Sequence, residues 1–431
     1  MQPLVLRPTT GPATASRRRH ARATPRCDHR PHALPGRLPR VRPSPPVHRG
    51  RRRRGGAARR PGARRADPPR PRPGHRPQRR RRLPAHHRPR RPRPAARTAP
   101  GRRPAAGRLP RLPLDIDTRH HLACGVHIGV PWITFALLDL RGRVVAHERL
   151  PRHGDATAVL RTIRTHLPSF TARRTAGRSL LGVGVVTGGW VDSERGVVVE
   201  HAPLGWHDVP VRDHLAGVTR LPVHVDGHAR ALARAELLFG ASREATDLVQ
   251  LFVGNVVDAA IATGGGVLQG RRSRAGDIGH LPVPGSTEPC PCGRTGCLQA
   301  TVSDRALVRR AHRLGVVPQP DLDLLLTRAA ASRPDALELF EERLRLIAPA
   351  AALLLDVLNP EVLVVSEAGL AVSPHLADVL HEQVLARARP EPGQLVAAGS
   401  FGLDLLAVAA CAGVLDSAYR RPMELRTARA S

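Results

Sequence analysis

The 431-residue chain contains no lysine: its 69 basic residues are all arginine, set against 35 acids. GC-rich coding DNA produces such a composition. Cysteine is scarce, six in all, and no C-x-x-C pair occurs, which excludes the thioredoxin-like redox motif. There is no run of 18 uncharged apolar residues, so no membrane span is read and no membrane partner is expected. The N-terminal charges are followed by no apolar core and by no obvious amphipathic, Ser-rich stretch, so neither a secretory signal nor a transit peptide is expected. A soluble, cytoplasmic protein is the expectation.

Charge splits the chain in two. Residues 1–113 hold 35 Arg against two acids, Asp28 and Asp67, whereas residues 114–431 hold 34 Arg against 33 acids. The net charge of +34 therefore belongs to the leader. Its Pro-rich texture, as in "RPRPGHRPQRRRRLP", lacks aliphatic periodicity and removes helix and ladder donors, so disorder is expected. Two readings stand beside each other: a basic arm that binds nucleic acid through phosphates in a salt-sensitive, sequence-blind way, and GC-rich DNA read from a wrong frame or start. Residues 114–431 are too many for one typical domain and predict two lobes, 114–240 and 241–431, with a cleft between them.

From residue 122 the pattern is α/β. "ACGVHIGVPWITFALLDLRGRVVAHERL" reads as β-rich runs with turns at Gly129 to Trp132 and at "LRGR". "DATAVLRTIRTHLPSF" has helical spacing, and "SLLGVGVVTGGWVD" is a buried strand run. "RLPVHVDGHARALARAELLFG" gives strand, turn and helix, with Gly240 as C-cap. The second half repeats the theme: strands in "LVQLFVGNVVDAAIATGGGVLQG" and "PEVLVVSEAG", helices in "DRALVRRAHRL" and "PDALELFEERLRLIAPAAALLLDVL", and a last long helix from about Leu403. Mixed sheets covered by helices are the simplest architecture.

His280, Cys290, Cys292 and Cys297 follow the spacing H-x9-C-x-C-x4-C, with Pro291, Gly293 and Gly296 supplying tight turns. One imidazole and three thiolates suit a closed tetrahedral, hence structural, Zn²⁺ site; free thiols are the alternative. A disulfide fits less well, since Cys290 and Cys292 are too close in sequence to pair comfortably. Cys27, Cys124 and Cys411 are isolated and read as buried or incidental thiols.

"GDIGHLPVPGSTEPCPCGRTGCLQATVS" resembles the signature of the ROK family of sugar kinases and sugar-responsive repressors, G-E-x-G-H followed by C-x-C-G-x-x-G-C-L-E. The likeness runs from about residue 122 to about 415. It implies an actin-like (ribonuclease H-like) ATPase fold, two lobes with a sugar in the cleft and zinc bracing one wall. The family's sugar contacts fall here on Gly227, His228, Asp277, His280 and Gln299. Trp190 and Trp206 are candidates either for stacking on a sugar or for the core.

The kinase motifs of the family depart at four places. The first phosphate loop, D-x-G-G-T, is "HIGVP", with His127 for Asp and Pro131 lacking an N–H. The second, G-T-G-I-G, is "GNVVD", where Asp258 would repel a phosphate. The adenosine-side glycines are replaced by Ser366 and Glu367. The catalytic Asp of E-N-D-A-N falls on His228; Asp226 lies two residues earlier and could serve only in a shifted register. The resemblance thus implies a sugar-binding, kinase-dead transcriptional regulator: no enzyme, and no ATP or Mg²⁺. Its partners would be a sugar or sugar-phosphate effector, a second copy in a homodimer or higher homo-oligomer, and DNA if the true gene product carries a helix-turn-helix. No such motif is found in residues 1–113. The alternative is an ATP-dependent sugar kinase of the glucokinase or N-acetylhexosamine kinase type.

Overall fold

The computed structural model describes residues 95–97 and 114–422. The remainder of the leader, with the disorder and reading-frame expectations placed on it, lies outside the described residues, as does Cys27. The chain divides into two units, Met1–Pro84 and Ala85–Ser431, and everything below belongs to the second. Strand β1 (Ala95–Arg97) pairs antiparallel with β2 (Leu114–Ile116).

The first five-stranded sheet is built from β3 (His121–Ile128), β4 (Trp132–Asp139) and β5 (Val144–Pro151), then helix α1 (Ala156–Arg174) and β6 (Ser179–Thr187). A small antiparallel sheet of β7 (Trp190–Asp192), β8 (Val197–His201) and β9 (Trp206–Val209) intervenes, followed by α2 (Val211–Thr219), β10 (Val223–Gly227) and α3 (His228–Phe239). Sheet order is β10-β6-β3-β4-β5, with β3, β6 and β10 parallel and β4 antiparallel to its neighbours. The apolar runs of β3, β4 and β6 are buried along almost their whole length, because helices cover both faces. By contrast β5, at the edge, alternates between half-buried and exposed residues.

The second sheet repeats this plan. Its strands are β11 (Leu248–Val253), β12 (Val257–Thr263), β13 (Gly266–Val267), β14 (Val362–Glu367) and β15 (Leu395–Ala398), in the order β13-β12-β11-β14-β15. Helices α4 (Leu298–Val302), α5 (Asp304–Arg313), α6 (Leu322–Ala330), α7 (Pro334–Leu358) and α8 (Pro374–Leu385) accompany it, and α9 (Leu405–Arg420) ends the fold. Local chemistry marks the helix starts. The Asp155 carboxylate accepts from Ala158 N at 2.9 Å, Ser303 Oγ from Ala306 N at 3.4 Å, and Asp321 from Leu324 N at 3.1 Å. Pro334 opens α7, where a missing N–H has no cost.

Two sheets sandwich a pair of helices. On one side α9 packs against β3, β4 and β6; on the other α3 packs against β11 and β12; and the two helices pack on each other. This is the two-lobed, actin-like α/β arrangement the sequence implies, with the last helix of the second half returning to the first sheet. The stretch Gly402–Arg420 is long and apolar enough to cross a membrane by length and composition, but here it is a core helix with Val408, Ala409, Cys411 and Leu415 fully buried. Close approach requires glycine: a Cβ on Gly184 would lie 1.8 Å from Ala410 O. Gly240 does stand at the end of α3, but its backbone is extended (φ −73°, ψ 177°) rather than left-handed. What needs glycine there is space, since a Cβ would meet Glu236 Oε2 at 1.9 Å.

A pair of substitutions tests the packing. Gly184→Ala forces α9 off the sheet and should lower stability by about 1–3 kcal/mol. Gly217→Ala, within α2 and with nothing near its Cβ, should raise it by about 0.5–1 kcal/mol. Urea titration of both variants reads the difference.

Candidate functional site

The segment between β13 and α4 is a chain of tight turns. Gly293 (φ +85°) and Gly296 (φ +68°) take left-handed backbone, and a Cβ on Gly296 would lie 2.4 Å from Ser286 O. Cys290 N donates to Arg294 O at 2.8 Å, and Gly293 N to Cys290 O at 3.0 Å. These turns bring His280, Cys290, Cys292 and Cys297 together, with all four ligand atoms within 4.8 Å of one another. Cys292 Sγ lies 3.6 Å from Cys297 Sγ, and Cys290 Sγ lies 3.6 Å from His280 Nδ1. Metal–sulfur bonds of about 2.3 Å at tetrahedral angles separate the sulfurs by about 3.8 Å, so the donor set fits a metal ion. Arg294 beside Cys292 pulls its thiol down to about 6, whereas burial pushes Cys297 up to about 12. Cys124, in the core between the first sheet and α1, and Cys411, in the layer around α9, are buried thiols.

Next to this cluster lies a first cavity, lined by Asp277, His280 and Gln299 together with Trp190, Asp258, Arg230 and Arg274. Three of the five expected sugar residues therefore share one wall. Because His280 turns Nδ1 toward the cysteines, Nε2 is left for a hydrogen bond elsewhere. Gln299 is anchored by its Oε1, which accepts from Val257 N at 3.3 Å. Asp277 accepts from Arg274 at 2.8 Å, and Arg272 and Arg274 sit over the Trp190 ring at 4.7 and 4.5 Å. Of the two tryptophans, Trp190 thus borders the cavity and Trp206 fills the core, 2% exposed. The space left is about 80 Å³, well below the roughly 300–1,000 Å³ of ordinary ligand pockets. Arg274 lines the cavity through its ion pair with Asp277. That side chain is about half exposed, so moving it costs little.

Gly227 and His228 lie elsewhere. Gly227 ends β10 and caps α3, where Asp226 is the anchor. The Asp226 carboxylate accepts from Arg230 Nε at 2.8 Å, Arg234 at 2.6 Å, Ser193 Oγ at 2.9 Å and Gly227 N at 2.8 Å. Burial opposes its ionisation, yet the two guanidiniums prevail and hold it at about 2. Arg230 also donates to Val191 O at 2.8 Å and to Ser273 O at 2.5 Å. It was not foreseen from the sequence; its i,i+4 spacing from Asp226 was the available signal.

His228 faces a second, larger cavity of about 560 Å³, which it lines with His127, His201, Phe252 and the turn from Gly129 to Trp132. The expected phosphate loops border it but are occupied with themselves. Gly129 N donates to Trp132 O at 2.9 Å, Pro131 has no N–H, and Gly254 N donates to Val256 O at 3.0 Å. Ser366 and Glu367, in the adenosine-side positions, are buried: Ser366 Oγ accepts from Gln250 at 3.0 Å, and Glu367 pairs with Arg343 at 2.9 Å. Asp258 differs from expectation. It lines the first cavity rather than the second, and burial, reinforced by nearby Asp277, pushes it up to about 8.

Residues 123–400 match the family model described as ROK family. The transcriptional regulator Rv0485 of Mycobacterium tuberculosis is 34% identical over 282 residues, covering 61% of each chain. Glucokinase of Halalkalibacterium halodurans is 30% identical over 261 residues, 56% of this chain and 78% of its own. Among solved structures, a ROK family transcriptional regulator described as a homolog of the E. coli MLC protein superimposes with a TM-score of 0.62 at 23% identity, over 72% of this chain and 82% of that one. This likeness shows the fold. The chain spans about three fifths of the length of the mycobacterial regulator it matches.

The Asp258 carboxyl sets a pH dependence. Its folded pKa is raised above the unfolded value, so the folded state keeps a proton that the unfolded chain releases, and stability falls as pH rises from about 4 to about 8. Asp258→Asn should remove that decline and become more stable than the parent at pH 8 while matching it near pH 4. Urea midpoints at the two pH values measure this.

Proposed function

The chain belongs to the ROK family, and from that premise we propose that it is a sugar-responsive transcriptional regulator that binds its sugar without phosphorylating it. The observation that carries this reading is the state of the β10–α3 junction. Phosphoryl transfer needs a carboxylate to accept the proton of the sugar hydroxyl. The position where the family's base falls is His228, an imidazole held well below its ordinary pKa by burial. Asp226, two residues earlier, has its oxygens committed to Arg230, Arg234 and Ser193 and is too weak a base at about 2. The self-bonded turns at Gly129 and Gly254 and the buried Ser366 and Glu367 support the same conclusion for the nucleotide.

Sugar binding is assigned to Asp277, His280 and Gln299, with Arg274 swinging away from Asp277 to admit the ligand. Gly227 at the end of β10 and His228, which lines the neighbouring cavity, are kept as the family's further sugar positions; both cavities are lined by Val256. The metal is assigned as Zn²⁺, bound by His280, Cys290, Cys292 and Cys297 in a closed structural site that fixes His280 for the sugar. Signal output would pass from the cleft through relative lobe movement, in a homodimer, and on to DNA if the true gene product carries a helix-turn-helix. The glucokinase relative keeps the kinase reading as the one to test against.

Two measurements follow. Isolated protein should contain about one zinc per chain, and Cys297→Ser should lose it and melt about 5–10 °C lower; full stability of a metal-free chain would remove the zinc assignment. In a thermal-shift panel of hexoses and N-acetylhexosamines at least one sugar should stabilise the chain, with Asp277→Ala weakening it at least about tenfold. ATP, Mg²⁺ and that sugar should release no ADP; sugar-dependent turnover would restore the kinase.

A further inference from the structure

The first cavity already holds a cation. Arg274 donates to Asp277 at 2.8 Å, and its guanidinium carbon lies 4.5 Å from the centre of the Trp190 ring. A carboxylate beside the face of an indole is a receptor for positive charge, since both present negative potential. The backbone builds this receptor. The turn leading to Asp277 takes left-handed φ at Gly270, Arg272, Ser273 and Gly276, and Arg230 holds it by donating to Ser273 O. Gly276 then passes so close to β12 that a Cβ would lie 2.0 Å from Ala259 O, while Ala259 N donates to Gly276 O at 2.9 Å. This contact brings Asp277 to the same cavity as Asp258, the residue before Ala259 on the strand.

The charges of the lining no longer balance once Arg274 moves. Its acids are the exposed Glu200 from β8, Asp258 and Asp277; its guanidiniums are Arg230 and Arg274. Arg230 is committed to Asp226, Val191 O and Ser273 O, and Arg272, over the same indole, lies 3.8 Å from Asp192. Asp258 makes no hydrogen bond and no ion pair within the described residues. Burial, with Asp277 adding to it, pushes the Asp258 carboxyl up to about 8 against the pull of Arg230 and Arg274, as for an acid that lacks a cation of its own. A neutral ligand that displaces Arg274 leaves Asp277 with weaker, uncharged donors and gives Asp258 nothing to balance. A ligand with an ammonium replaces charge by charge, offering three N–H donors to the two carboxyls and a cation to the ring face.

We propose that the ligand of this cavity is a basic sugar, a hexosamine with an unsubstituted amine, whose ammonium takes the place of the Arg274 guanidinium on Asp277 and Trp190 and is recognised by Asp258. This rests on the assignment of the sugar to the wall of Asp277, His280 and Gln299, and it narrows the class of ligand. His280 and Gln299 are left for the hydroxyls. Asp258 is thereby a specificity-determining residue. It stands at the last position of "GNVVD", where the motif G-T-G-I-G has a glycine and hence no side chain to select with.

Isothermal titration of the full chain tests this at about pH 6, below the titration of an amine. Glucose, mannose and galactose are compared with their 2-amino and 2-acetamido derivatives, and with ethanolamine as a cation that is not a sugar. At least one hexosamine should bind at least about tenfold more tightly than its parent hexose and its N-acetyl derivative, as expected when a charged donor replaces a neutral one at a carboxylate. Asp258→Asn should cut that ratio at least about fivefold. Arg274→Ala, at a half-exposed position, should raise it by removing the resident cation. Circular dichroism checks the folding of both variants, and the ratio in the unaltered protein stands without them. Binding of hexoses or N-acetylhexosamines with no hexosamine reaching that preference would overturn the inference and leave the sugar reading in place, whereas a chain that binds no sugar at all would remove both. Ethanolamine bound as tightly as the hexosamine, or a ratio that Asp258→Asn leaves unchanged, would also overturn it.

Discussion

The carboxylate of Asp226 is the point on which the centre of this molecule depends. It is 7% exposed and accepts from two guanidiniums, a hydroxyl and a backbone N–H at 2.6–2.9 Å. Those donors come from α3, from the turn after β7 and from the end of β10, and through Arg230 the network reaches Ser273 beside the first cavity. A buried ion pair of this kind adds little net stability over apolar packing, but removing one partner leaves an uncompensated charge, at about 3–5 kcal/mol. Its effect is therefore specificity of arrangement: it fixes the start of α3 and the Arg-lined face of the cavity together.

That arrangement separates binding from chemistry. Asp226 is committed to its guanidiniums and His228 is held neutral by burial, and on the proposed reading neither serves as the base for a sugar hydroxyl. The wall built on the cysteine turns is untouched by this change, because its geometry comes from Gly293, Gly296 and the converging donors rather than from the junction. On the proposed reading, the Arg274–Asp277 pair is what a sugar has to open. The cleft comprises two adjoining cavities, one beside the cluster of His280, Cys290, Cys292 and Cys297 and the other lined by imidazoles.

Much of this was legible in the sequence. The alternation and apolar runs of β3, β4, β6, β11 and β14 and the spacing of α1, α5 and α7 gave those elements, because their burial patterns follow from local periodicity. The His280, Cys290, Cys292 and Cys297 set was readable because its ligands sit within one short segment. The small sheet β7–β9 and helices α2, α6 and α8 went unread: they are short, and tertiary contacts rather than period define them. The cluster of His127, His201 and His228 was invisible for another reason, since three distant strands and helices bring it together. Asp258 was placed at the phosphate loop by its position in the motif, but its strand register turns it toward the sugar wall.

The central claim is that the sugar is held on the metal-braced wall while Asp226 remains a structural anion. A crystal structure of the protein with its tightest-binding hexose tests it most directly. The account predicts the sugar hydroxyls on Asp277, His280 and Gln299, Arg274 displaced, and the Arg230–Asp226 pair intact. A hexose bound with Asp226 released from Arg230 and turned onto a sugar hydroxyl would contradict it.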